Sequence, residues 1–189
     1  MGIGKYIKEI GRGKDGARAL TRAGRDLWGQ LLDGTAPIWK LAPFAWPCAS
    51  RAKRRTKWPV FWTPPPSASH RCRPAPGQPT VVIPSYNGAR KLPLLTPLLA
   101  LLLAREGLPV LIHGTATEST RVFTSEVLAA LGIPAQAAIQ KIANGEVAFV
   151  PTALLSPGLQ RLLEVRRVVN LRNPAHSLVK LMNPCEGPA

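Results

Sequence analysis

TVVIPSYNGARK, residues 80–91, joins an apolar, β-branched run to a polar turn that carries one glycine and ends on two cations. Val81, Val82 and Ile83 favour extended backbone, because a branched Cβ packs well on a pleated surface and crowds a helix. Residues 80–86 therefore read as a buried strand, and Asn87-Gly88 as the turn that ends it. Working outward, residues 94–105 form an apolar helix and residues 110–113 a second short strand that stops at Gly114. Residues 119–131 read as an amphipathic helix with Val122, Val127, Leu128 and Leu131 on its apolar side and Gly132 as its stop. A third strand is expected over residues 146–150 and a helix over residues 159–169. Strands that alternate with helices define an α/β layer with a largely parallel sheet.

The ends of the chain differ from this middle. Residues 1–34 read as helical: Tyr6, Ile7 and Ile10 share one side of a short turn ended by Gly11 and Gly13. Thr21 is a fitting N-cap for a second helix, whose stripe is Leu27, Trp28, Leu31 and Leu32 and whose stop is Gly34. Residues 35–75 hold four of the five tryptophans, eight prolines, eight basic residues and no acid. No apolar period survives there. Taken at face value, such a stretch could grip nucleic acid by charge and stacking.

Of 189 residues, 25 are basic and 10 acidic, a formal charge of +15 that suggests an anionic partner, nucleic acid or an anionic membrane surface. Cys48, Cys72 and Cys185 form no C-x-x-C pair and read as reduced thiols of a cytoplasmic protein. The N-terminus lacks the apolar core of a secretory signal. The most apolar stretch, residues 92–104, is too short to span a bilayer and contains Pro93 and Pro97, so a buried helix is expected.

Ligands of open α/β sheets gather at the carboxyl ends of strands. Two such ends stand out. Residues 85–91 offer Ser85, Asn87 and Gly88 followed by Arg90 and Lys91; residues 113–117 offer His113 and Gly114. Backbone N–H groups beside a following helix make an anion cradle, and the two cations would welcome a phosphate. Ordinary strand-to-helix turns would look the same. Arg166, Arg167, Arg172, His176 and Lys180 form a basic run, with His176 and Lys180 on one face if the run is helical. GRGKDG lacks phosphate-loop spacing, and neither a carboxylate pair nor a catalytic triad nor a metal-ligand cluster stands out.

KEIGRGKDGAR (8–18), VVIPSYNGARK (81–91) and LRNPAHSLVKLMNP (171–184) together resemble the anthranilate phosphoribosyltransferase-like proteins, glycosyl transferase family 3, nearest their DNA-binding YbiB-type branch. The resemblance covers residues 1–34 and 76–189. It implies a small helical N-terminal domain over residues 1–75 and an incomplete nucleoside-phosphorylase/phosphoribosyltransferase-type α/β domain over residues 76–189. The enzymes carry a G-T-G-G-D turn that cradles the pyrophosphate of phosphoribosyl pyrophosphate; the matching residues here are Ser85-Tyr86-Asn87-Gly88-Ala89, with one glycine and no aspartate. Their K-H-G-N-R motif is matched by Ile112-His113-Gly114-Thr115-Ala116, without the flanking cations. Their acidic pair, which handles magnesium, would lie beyond residue 189. The resemblance thus implies a non-catalytic, dimeric protein that binds DNA and RNA with little sequence preference and uses no cofactor. Arg90, Lys91, Arg121, Arg172 and Lys180 are its candidate phosphate contacts. The alternatives are a transferase that uses magnesium and phosphoribosyl pyrophosphate, or an inactive truncated remnant.

The family continues its helical domain where residues 35–75 turn proline- and tryptophan-rich. A one-base displacement of the frame converts residues 40–52 into a helix-like IGAFCLAMRIKG, so two compensating frameshifts would explain the stretch; the alternative is a genuine species-specific insertion. Without its eight basic residues the charge falls to +7. Relatives run on beyond residue 189, so open strand edges, exposed apolar faces and a tendency to aggregate are expected.

Overall fold

A computed structural model describes residues 22–34, 72, 77–117, 120–169, 172–173 and 175–185. The expectations for Tyr6, Ile7, Ile10 and Thr21, and nearly all of those for residues 35–75, lie outside them. Among the described residues no helix is long and apolar enough to cross a membrane.

The chain divides into two compact units, one holding residues 22–34 and Pro157–Leu178, the other residues 77–156 and 179–185 together with Cys72. In the first, helix α1 (Arg22–Leu32) presents Leu27, Trp28, Leu31 and Leu32, all buried, as the stripe its spacing predicts. It packs against the helix Pro157–Val169, whose Leu159, Leu162 and Leu163 are buried in turn. Pro157 opens that helix at a position where the missing N–H costs nothing. Gly158 lets the two backbones meet, because a Cβ there would collide with the Leu32 carbonyl oxygen. Arg161 donates to that same carbonyl at 2.7 Å and so satisfies an orphan acceptor at the end of α1.

The second unit is built on three parallel strands in the order of the chain: β1 (Val81–Ser85), β2 (Val110–Gly114) and β3 (Val147–Pro151). Val81 pairs with Val110 and Val110 with Val147, and the register runs without a bulge to Ser85, Gly114 and Pro151. Helix α2 (Thr96–Arg105) connects β1 to β2, and α3 (Thr124–Ala130) connects β2 to β3. Alternation along the strands divides the core. Val110, Ile112, Val147 and Phe149 meet Ala100 and Ala104 of α2 and Leu128 of α3 on one face. Leu111, Ala148 and Val150 meet Ile142, Leu155, Cys72 and Cys185 on the other. Every residue of β2 is buried, as both-face coverage of a parallel strand requires. This is the α/β fold with a parallel sheet that residues 80–150 predict.

Two sequence expectations are corrected. The helix expected over residues 119–131 is only Thr124–Ala130; Val122 stands outside it, half exposed, and pairs with Ala89 in an antiparallel bridge. Glu126 accepts from the Phe123 N–H at 2.7 Å, which sets the true start of the helix. Residues 92–104 are buried along one side only. Pro97, Ala100 and Ala104 of α2 are buried and Leu103 packs against the same core, while Leu92 is 80% exposed and Leu98, Leu99 and Leu102 keep 54%, 51% and 50% of their surface in water. An all-apolar helix carries no periodic signal to say which side meets the core.

Candidate functional site

The carboxyl ends of β1 and β2 carry a buried polar cluster, and each member arrives there by strand geometry. Ser85 closes β1, and its hydroxyl shares a hydrogen bond with Thr124 at the start of α3. Tyr86 follows, 4% exposed, and its phenol lies 2.8 Å from His113 Nδ1 and 2.9 Å from the Thr152 hydroxyl. Thr152 opens the four-residue helix α4 (Thr152–Leu155) directly after β3, so all three strands contribute. The Tyr86 and His113 rings meet edge to face, with centroids 5.5 Å apart.

Burial sets the protonation states. It pushes the Tyr86 phenol up, against a smaller lowering by the Thr152 hydroxyl bond. It lowers His113 to about 4, a shift the Met182 backbone opposes only in part. The imidazole is therefore neutral at pH 7. A self-consistent order follows: Thr152 donates to the Tyr86 oxygen, Tyr86 donates to Nδ1, and the ring proton stays on Nε2. Nε2 is buried and closes no hydrogen bond of normal geometry.

The turn beyond Tyr86 is closed rather than open. The Ala89 N–H donates to the Val122 carbonyl at 2.9 Å, and the Val122 N–H returns a bond to Ala89 at 3.0 Å. Gly88 is buried under that bridge, where a Cβ would meet the Val122 oxygen at 2.6 Å. Arg121, half-buried, donates through Nη1 to the Gly88 carbonyl at 3.2 Å. Gly114 allows β2 to lie against β1, since a Cβ there would collide with the Ser85 carbonyl oxygen. Asn87, Arg90 and Lys91 are exposed at the outer side of the turn.

Of the residues proposed from sequence, Ser85, Asn87, Gly88, Arg90, Lys91, His113, Gly114 and Arg121 are thus brought together at one end of the sheet. Lys180 is exposed on a 3-10 turn, Val179–Leu181, that packs against β1. Arg172 is exposed and belongs to the helical unit. The single helix expected to carry both His176 and Lys180 is absent: His176 is buried on the helix Ala175–Leu178, and Lys180 stands on the 3-10 turn that follows. Sequence reasoning missed Tyr86, Thr124 and Thr152 as members of the cluster. The signal available was positional, since each stands within a residue or so of a strand or helix end.

No family model matches the chain. The uncharacterized protein YbiB of Escherichia coli (strain K12) is 37% identical over an alignment 199 positions long, which covers 100% of this chain and 61% of that protein. An anthranilate phosphoribosyltransferase of Trichodesmium erythraeum (strain IMS101) is 36% identical over 95 residues, 45% of this chain and 25% of the enzyme. Among solved structures, anthranilate phosphoribosyltransferase from Thermus thermophilus superposes with a TM-score of 0.70 at 21% identity, covering 94% of this chain and 54% of that one. The enzyme from Saccharomyces cerevisiae gives 0.54 at 11% identity, over 96% of this chain and 53% of its own. The fold is thus that of these transferases, in part. The chain is similar to YbiB over its whole length and in part to anthranilate phosphoribosyltransferases, and it spans 61% of the curated relative that it matches from end to end.

Proposed function

We propose that this chain is a non-catalytic homologue of anthranilate phosphoribosyltransferase that binds DNA or RNA through phosphate contacts with little sequence preference. The observation that supports it most is the filled strand end. The Tyr86 ring and hydroxyl lie buried where a phosphate cradle would need open glycine backbone, and the Ala89 N–H is already spent on Val122. Arg90 and Lys91 stand exposed just outside, beside Arg121. Cations so placed can meet a nucleic-acid backbone that never enters the fold. In this reading the protein acts as a cytoplasmic homodimer, two copies offering two basic surfaces to one strand.

Phosphate binding of this kind releases counterions, so affinity falls steeply with salt. Three phosphate contacts per site correspond to a loss of about 40-fold between 50 and 200 mM salt. Fluorescence anisotropy of a labelled oligonucleotide over that range tests the reading. A second reading, a phosphoribosyltransferase with divergent motifs, is favoured by the 36% identity to the Trichodesmium enzyme over 95 residues. Magnesium-dependent consumption of phosphoribosyl pyrophosphate with an aromatic amine would establish that second reading and overturn the first.

A further inference from the structure

Cys72 and Cys185 stand on either side of the whole sheet in the chain order, yet they are direct partners in a parallel β-bridge. The Cys72 N–H donates to the Pro184 carbonyl at 2.8 Å, and the Asn183 side chain accepts from the Cys185 N–H at 3.1 Å, so both backbones are held in place. Both thiols are free and buried in the same core cluster, against Leu111, Val150 and Leu155. Partners in a bridge stand about 4.8 Å apart and send their side chains to the same face. A disulfide needs Cα atoms about 4.4–6.8 Å apart and Cβ vectors that converge. The bridge meets the first demand, and the shared core cluster keeps the two side chains on one face, so a modest turn of each about its Cα–Cβ bond is what closure requires.

We propose that Cys72 and Cys185 are a latent disulfide clasp, closed by exchange with a low-molecular-weight disulfide such as oxidised glutathione. One thiolate attacks a sulfur of oxidised glutathione and expels one glutathione thiolate. The second thiolate then attacks the protein sulfur of the mixed disulfide and expels the other. Two electrons pass from the cysteine pair to the oxidant, the two thiol protons pass to the departing glutathione thiolates by way of solvent, and two molecules of reduced glutathione result. Closure ties the segment ahead of β1 to the segment that follows the Val179–Leu181 turn, and that turn packs on β1 and carries Lys180. Burial, with the neighbouring thiol adding to it, lifts Cys72 to about 11, and burial lifts Cys185 as well, so exchange waits on parting of the bridge. The clasp closes slowly and, once closed, is shielded.

The test uses the full chain with Cys48→Ser, reduced and then held with graded ratios of oxidised to reduced glutathione, quenched in acid and alkylated. Peptide mass spectrometry should find a Cys72–Cys185 cross-link that grows with the ratio and vanishes on reduction. The melting temperature should rise by about 5–10 °C on closure. Cys72→Ser and Cys185→Ser should each leave the partner as a single alkylated or glutathionylated thiol. Absence of the cross-link after a day at the most oxidising ratio would overturn the proposal, as would cross-links only between chains. The unsubstituted pair is itself the readout, so a serine variant that fails to fold does not blunt the test.

Discussion

The carboxyl ends of β1 and β2 and the outer face of α2 are inversions of each other. At the strand ends, Ser85, Tyr86, His113, Thr124 and Thr152 are polar and buried; on α2, Leu98, Leu99 and Leu102 are apolar and half in water. The strand ends tolerate burial because their hydroxyls and Nδ1 of His113 are bonded to one another, which offsets much of the desolvation cost of those groups. The outer leucines of α2 gain little from burial. The helix is held by the small residues Ala100 and Ala104, which let it lie close to the sheet. Polarity in the sequence is thus a poor guide to burial in either place, and hydrogen bonding and helix orientation decide instead.

The largest expected effect that separates the two regions is one of pH. Folding holds His113 at about 4 against an ordinary 6.5, so between those values the unfolded chain binds more protons. Stability is then complete above about pH 6.5 and falls by roughly 3 kcal/mol as the pH drops toward 4. Urea titrations at several pH values should show this slope, and His113→Phe should flatten it. Next comes Tyr86→Phe, which leaves Nδ1 of His113 buried without its donor; a loss of about 1–3 kcal/mol is expected from chemical denaturation. The smallest effect belongs to α2. Replacing Leu98, Leu99 and Leu102 together by Gln should change stability by about 0.5 kcal/mol per site or less, while light scattering shows less self-association. A large loss of stability there would mean that the leucines are covered, and the comparison would fail.

Much of the fold is legible in the sequence. Val81–Ile83 and residues 110–112 read as strands because β-branched and aliphatic runs bounded by glycine have few other uses, and Gly34 and Gly132 adopt the left-handed stops expected of them. Residues 119–131 mislead because Val122 and Leu131 fit the apolar period of a helix, although the bridge to Ala89 claims Val122 and Leu131 lies beyond the last turn. The site is legible only as two strand ends. His113 and Thr152 lie 27 and 66 positions beyond Tyr86, and nothing local announces that one phenol will join them. Arg90 and Lys91 stand out by charge, and charge says nothing of the closed bridge beneath them.

In the proposed function, exposed cations beside a filled strand end hold nucleic-acid phosphates. Its most direct measurement is the slope of log affinity against log salt for a labelled oligonucleotide, taken for the native chain and for the Arg90→Ala, Lys91→Ala, Arg121→Ala combination. Binding should weaken in the variant, and its slope should be shallower by roughly one for each phosphate contact removed. An unchanged slope, or no binding by the native chain at low salt, would contradict the account.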